Sequence, residues 1–240
     1  MPNIEFKNKN IKENNKRICF IGGTSLFESD LFGDFKKIEK RNKFGKVAFF
    51  QKSNLFFIQR HLGGAPPHRI NLKAYFQALE DLGVKKIISI CSVGCLKKNI
   101  KIPAMMVPHD FIGFWNIPTF FDNEICHSAP GLSGELRKEI ISAAKSEKVK
   151  IIPKGIYFQA SGPRIETPAE VKIISKFGNV VGMTFASEAT LACEKNIEIA
   201  AICTVDNYAN GLKGGVNYDI VKAGARKNKE NLEKILGKLI

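Results

Sequence analysis

Ile156-Tyr157-Phe158-Gln159-Ala160-Ser161-Gly162-Pro163-Arg164-Ile165-Glu166-Thr167-Pro168-Ala169-Glu170 runs from an apolar segment, through a glycine–proline turn, into a helix start. The apolar half, Ile156–Ala160, reads as a buried strand. Thr167 offers an N-cap, Pro168 suits the first helical position and Glu170 falls in the first turn, so a helix is predicted over Pro168–Lys176. An acid, Glu166, stands just before that cap. The same order recurs where the strand candidate Val180–Gly182 leads to a helix over Ser187–Asn196. Further strands are predicted at Arg17–Ile21, Lys46–Phe50, Leu55–Gln59, Lys86–Ile90, Met105–Pro108 and Ala200–Val205. Further helices are predicted at Asn71–Leu82, Ser133–Glu147 and Tyr218–Leu239. Such alternation is the mark of an α/β sheet, in which ligands bind outside the carboxyl ends of strands. No linker, internal repeat or low-complexity run divides the chain, which reads as a polar segment, 1–16, followed by one domain, 17–240.

Composition narrows the function classes. A chain of 240 residues with 44% hydrophobic and 25% charged residues can bury one core. Its apolar stretches are far shorter than the ~20 residues a spanning helix needs, and the N-terminus has no signal-peptide core. A cytoplasmic protein without membrane partners is expected. The six cysteines include no C-x-x-C pair, and Cys19, Cys91 and Cys203 lie in strand-like apolar runs, which favours reduced thiols over a disulfide framework. Four dispersed histidines give no zinc spacing, so no metal is expected. The net charge of +14 raises the question of nucleic acid. However, the basic residues are spread out and no RNA-binding aromatic signature occurs. A solvated basic surface that attracts anionic small substrates is the better reading, with no nucleic-acid partner.

Several strand ends carry polar groups. Ile18-Cys19-Phe20-Ile21-Gly22-Gly23-Thr24-Ser25 runs a strand into a glycine turn that can offer hydroxyl and N–H donors to an anion. It is neither a dinucleotide fingerprint nor a Walker loop. After the next apolar strand, Gln59-Arg60-His61 opens a loop shaped by glycine and proline that continues to Pro66-Pro67-His68-Arg69-Ile70-Asn71; its arginine supplies a planar fork suited to phosphate. At Ile90-Cys91-Ser92-Val93-Gly94-Cys95 a strand breaks at small residues, which leaves backbone N–H groups for a ligand. Val181-Gly182-Met183-Thr184 and Cys203-Thr204-Val205-Asp206-Asn207 end further strands in polar groups.

Taken in order, the I-G-G-T, R-H, P-P-H-R-I-N, S-V-G-C-L, G-P-R-I-E-T-P-A-E and V-V-G-M-T segments resemble the trimeric purine nucleoside phosphorylase and 5′-methylthioadenosine phosphorylase family. The resemblance runs from about Ile18 to the last helix. It implies an α/β sandwich with a distorted, barrel-like mixed sheet flanked by helices, a homotrimer or dimer of trimers, and reversible phosphorolysis of purine nucleosides in purine salvage. Inorganic phosphate is then the co-substrate and no cofactor is implied. By the same resemblance Thr24, Arg60, His61 and Thr184 hold phosphate, with backbone N–H groups from a Cys91–Ser92 turn. Met183 supports the ribose, Ile165 borders the base, and Glu166 and Asn207 read it. His127 resembles a histidine that reaches a neighbouring subunit's sugar pocket, which Asn217, Tyr218 and Val221 also border.

The chemistry of the base fits this assignment. A 6-oxopurine presents N1–H as a donor and O6 as an acceptor, which an ionised Glu166 and the Asn207 amide match. Adenine presents an unprotonated N1, a mismatch against a carboxylate. Inosine and guanosine are therefore expected, with methylthioinosine and methylthioadenosine as alternatives. Arg60 and the threonines orient phosphate for attack on C1′, while Asn207 and Glu166 stabilise charge on the departing purine. The chain also departs from the family. The loop after His61 is short, a second phosphate-side histidine has no counterpart unless His68 serves, and Ile165 replaces a phenylalanine. Ser187 replaces a proline, Ser161 an alanine or glutamate, and Ala209 stands where a second aspartate would mark adenine-type enzymes. A binding protein that senses purines without turnover is the competing class.

Overall fold

The computed structural model describes residues 17–240; the polar segment 1–16 lies outside the described residues. In chain order the described residues form β1 (Arg17–Gly22), β2 (Lys36–Asn42), β3 (Gly45–Lys52), β4 (Leu55–Gln59), α1 (Leu72–Asp81), β5 (Val84–Cys95), β6 (Ala104–Met106), β7 (Asp110–Ile112), α2 (Gly134–Ser146), β8 (Ile156–Gln159), α3 (Pro168–Ile174), β9 (Val180–Gly182), α4 (Phe185–Glu194), β10 (Glu198–Tyr208) and α5 (Tyr218–Leu239). Four of the five helices start at a side-chain cap. Asn71, Ser133, Thr167 and Asn217 accept from the backbone N–H of Ala74, Leu136, Glu170 and Ile220. Thr167 and Glu170 close a full capping box at α3, an arrangement in which each cap contributes about 1 kcal/mol.

The centre of the sheet is parallel: β4, β1, β5 and β10 lie side by side. These strands are covered on both faces, which is why they read as continuous apolar runs. Their side chains alternate between two cores. Cys19, Ile21, Ile87, Ile199 and Ala201 face α1 and α4, whereas Phe20, Ile88, Ile90, Ala200 and Ile202 face α2 and α5. A smaller cluster around Phe158, Val171, Ile174 and Val181 seats α3.

The mixed sheet flanked by helices is as expected, but it is not closed into a barrel. One path runs β2-β3-β4-β1-β5-β9-β8-β7, and β10 and β6 branch from β5. The branch leaves a gap. Along one edge β5 pairs with β1 as far as Ser89 and with β9 from Gly94, while β10 follows the other edge for nearly its whole length. Among the described residues no strand lies beside Ile90–Val93 on the first edge.

Two strands escaped the sequence reading. The β2 segment, Lys36-Lys37-Ile38-Glu39-Lys40-Arg41-Asn42, is an edge strand whose charges face solvent and discourage further pairing. Strand β7 is too short to carry a pattern. Cys91 and Ser92 do not form a turn: β5 continues through them to Cys95.

Candidate active site

A cavity of about 380 Å³ opens at the gap beside β5. Thr24, Arg60, His61, Cys91, Ser92, Ile165, Glu166, Met183, Thr184, Asn207, Tyr218 and Val221 all line it. Of the other residues singled out from the sequence, Asn217 caps α5 with its side chain. His68 and His127 are exposed and lie outside the lining.

The strand itself supplies one wall. Backbone groups of a strand alternate between its two edges. Cys91 pairs with Cys203 on the β10 side, and the Cys95 carbonyl accepts there from the Ala209 N–H. The Ile90 carbonyl and the Leu96 N–H face the other edge, toward Arg60 and Asn179. Ser92 shares the parity of Ile90, so its N–H points into the gap where no strand takes it.

The floor is set by an irregularity in β10. Thr204 pairs with Ser92 and Val205 with Val93, but the next pairing is Asn207 with Gly94. Asp206 is therefore an inserted residue, a β-bulge. Cys203 and Val205 point into the core with α4. Without the bulge Asn207 would follow them; with it, Asn207 shares the face of Ser92 and lines the cavity. Gly94 eases the close approach of β9 beside Asn207, since a Cβ there would lie 3.2 Å from Val181 Cγ1. The Asp206 carboxylate accepts from Ser92 Oγ at 2.6 Å, Thr204 Oγ1 at 2.9 Å and Asn228 Nδ2 at 2.7 Å. Burial pushes its carboxyl up to about 6, against the lowering effect of these three bonds.

Arg60 reaches the cavity, as the sequence reading has it, but most of its donors are already taken. Its fork is closed on Glu188 of α4, with Nε to Oε1 at 2.6 Å and Nη2 to Oε2 at 3.1 Å. Nη2 also reaches Ser89 Oγ at 2.9 Å, and Nη1 reaches the Ile90 carbonyl at 3.2 Å. Both partners are buried. Burial alone would lower the arginine's pKa, but the Glu188 charge more than reverses it, so the guanidinium stays charged. One Nη1 N–H remains for an anion. Gly23 lets it emerge, because a Cβ there would lie 2.8 Å from Nη1. The phosphate fork expected from sequence is thus held by protein, and the pair adds no net charge to the site.

The remaining cradle is built from neutral groups. Burial lowers the His61 pKa and Arg60 adds to the effect, which favours the neutral ring. His61 Nδ1 lies 2.7 Å from the Ala65 carbonyl, an acceptor, which assigns the proton to Nδ1 and leaves Nε2 as a lone pair. Tyr157 Oη accepts the first amides of α4, from Thr184 and Phe185 at 3.3 and 3.4 Å, and Gln159 Oε1 accepts that of Ser187 at 3.0 Å. Thr184 makes no cap hydrogen bond with its own side chain and keeps its hydroxyl for the cavity. Gln159 Nε2 in turn donates to Ser187 Oγ at 2.6 Å, so the serine in a proline's place is held by Gln159 through both its amide and its hydroxyl oxygen.

Glu166 is buried on the opposite side, and burial raises its pKa. Arg164, two residues away, pairs instead with Glu170 at 2.7 Å. The loop bearing Glu166 is held by Asn210 Nδ2, which donates to the Glu166 carbonyl at 2.9 Å. Gly162 has φ of +59°, and a Cβ there would meet Met183 Sδ at 2.6 Å, so the loop can close over Met183 only with glycine. Sequence reasoning missed Glu188, Asn210 and the bulge at Asp206. Glu188 carried a signal: it is an acid inside the small, apolar helix Phe185-Ala186-Ser187-Glu188-Ala189-Thr190-Leu191-Ala192, and a buried charge requires a partner.

Known proteins share this fold. A crystal structure of a point mutant of adenosine/methylthioadenosine phosphorylase from Schistosoma mansoni superposes with a TM-score of 0.83, covering 93% of this chain and 90% of that one; at 22% identity the likeness is one of fold. A probable 6-oxopurine nucleoside phosphorylase of Archaeoglobus fulgidus is 37% identical over 227 residues, 91% of this chain and 93% of that protein. A probable S-methyl-5′-thioinosine phosphorylase of Methanocaldococcus jannaschii is 36% identical over 228 residues, 91% and 88% of the two chains. The family model of the phosphorylase superfamily matches residues 17–240, all that the structure describes, and the chain belongs to that superfamily.

Proposed function

We propose that the chain cleaves 6-oxopurine nucleosides with inorganic phosphate, releasing the free base and ribose 1-phosphate. One observation carries this reading: a buried carboxylate, Glu166, and an amide, Asn207, line the same cavity as the Thr24 and Thr184 hydroxyls. Phosphate sits against Thr24, Thr184, the free Arg60 Nη1 N–H and the Ser92 N–H, with His61 Nε2 accepting from a protonated phosphate oxygen. Met183 and Tyr218 flank the sugar. Attack at C1′ opposite the purine places charge on the departing base, where Asn207 donates and Glu166 accepts from N1–H. Holding both reactants in one cavity supplies the proximity the bimolecular step otherwise lacks.

A second reading concerns the 5′ position. Val216, Tyr218 and Val221 give that end an apolar lining, which suits a methylthio group and makes methylthioinosine a rival to inosine. Both keep the 6-oxo base. The segment around His127 bears the exposed side chains Phe114, Trp115, Ile117 and Ile125. In this reading copies of the chain assemble through it as trimers, a cytoplasmic enzyme of purine salvage that carries His127 to a neighbour's sugar pocket. Among the described residues no helix is long and apolar enough to cross a membrane.

The test is an assay of inosine, guanosine, methylthioinosine, adenosine and methylthioadenosine, each with and without phosphate. Base release from the 6-oxo substrates only when phosphate is present is expected. Release from none of the five would leave a purine-binding protein in its place, and a preference for the adenine nucleosides would overturn the roles given to Glu166 and Asn207.

A further inference from the structure

The proposed reaction makes no use of Asp206, although it is the carboxylate with the densest set of partners beside the cavity. Three observations converge on it. It is the inserted residue of the bulge that returns Asn207 to the cavity face. Its side chain takes hydrogen bonds from three elements: Ser92 of β5, Thr204 of β10 and Asn228 of α5. Its backbone is clamped from α5 as well, since a Cβ at Gly224 would lie 2.0 Å from the Asp206 carbonyl oxygen.

We propose that Asp206 is a positioning residue for base discrimination: its carboxylate fixes the bulge that aims Asn207 at the purine. The proton directions support this. Thr204 Oγ1 donates to Asp206, so across their 2.6 Å contact Ser25 Oγ is the donor to Thr204. Ser92 Oγ likewise gives its proton to Asp206 and turns only lone pairs to the cavity. The carboxylate thereby sets a chain of hydroxyls from the glycine turn after β1 to the wall formed by β5. Loss of the carboxylate frees Ser92 and Thr204 and unpins Asn207, whose remaining hold is the bond from Nδ2 to the Tyr208 carbonyl at 2.9 Å.

This inference rests on the reading of Glu166 and Asn207 as the base-recognition pair, and its test separates the two. The readout is the ratio of inosine to adenosine kcat/KM, paired with the ratio of hypoxanthine to adenine affinity by calorimetry. A loss of correctly folded protein moves neither ratio. Asp206→Ala is expected to lower both about five- to tenfold, the scale of one misplaced hydrogen bond. Combining it with Asn207→Ala should lower them no further than Asn207→Ala alone. Asp206→Asn, which still accepts from Ser92 and Thr204, should hold the wild-type ratios within about threefold. Where Asp206→Ala does not fold, Asn228→Ala removes one anchor and should shift the ratios in the same direction. Unchanged ratios in Asp206→Ala or Asn228→Ala, or additive losses in the double variant, overturn the proposal. A wild type that neither cleaves nor binds purines overturns the reading beneath it, and the proposal with it.

Discussion

Glu188→Gln is expected to lower the thermal midpoint of the protein by roughly 6–20 °C. Breaking one side of a buried ion pair costs about 3–5 kcal/mol, and a protein of this size loses about 2–4 °C per kcal/mol. Glutamine preserves the shape of the side chain but leaves the Arg60 guanidinium buried without a counter-charge. The same substitution releases the fork that Glu188 holds, so the single Nη1 N–H left for phosphate loses its aim and KM for phosphate rises. A paired replacement separates the two effects. Arg60→Met combined with Glu188→Leu removes both charges and should recover most of the midpoint, because an apolar pair of similar volume avoids the desolvation cost. It should not recover phosphate affinity. Calorimetric melting and phosphate titration decide the matter; a midpoint unmoved in Glu188→Gln would show that the pair does not anchor the site.

Glu166→Ala is expected to reduce kcat/KM for inosine by about 10²–10³, the scale of a lost donor or acceptor that strengthens in the transition state. Adenosine should lose far less, since its N1 carries no proton for the carboxylate to accept. The wild type should show the same contrast as a function of pH. Burial raises the Glu166 pKa, so its carboxyl takes up a proton at a higher pH than an exposed glutamate does. As pH falls, the neutral acid accepts more weakly from a 6-oxopurine N1–H, through its carbonyl alone, and gains an O–H that donates to adenine N1. The inosine-to-adenosine ratio therefore declines on acidification and is restored at higher pH. Glu166→Gln removes that ionisation and should flatten the profile. Asp206 also protonates in acid, but its neutral acid, like the Asp206→Asn amide, still accepts from Ser92 and Thr204 and holds the bulge. A ratio constant across pH would remove Glu166 from contact with the base.

How much of this was legible in the sequence follows from what each feature depends on. Strands such as Arg17–Gly22 and Leu55–Gln59 are covered on both faces, so continuous apolar runs announced them. The capped start of α3 is a local matter and was read to the residue. Strand β2 was not, because an edge strand need cover few residues, and its one apolar side chain, Ile38, is only half-buried against the core. Of the side chains that line the cavity, those at strand ends were found from polar groups that interrupt apolar runs. The Glu188 partner of Arg60 was not legible, because it lies 128 residues away on α4 and nothing local signals that most of the arginine's donors are taken. The bulge at Asp206 is a mismatch between two strands and exists only once they pair.

The gap beside β5 has a consequence for how this protein tolerates change. The donor it exposes at Ser92 belongs to the main chain, and every amino acid except proline carries it. A substitution at position 92 therefore removes the hydroxyl that Asp206 holds but leaves the amide that the proposed reading gives to phosphate.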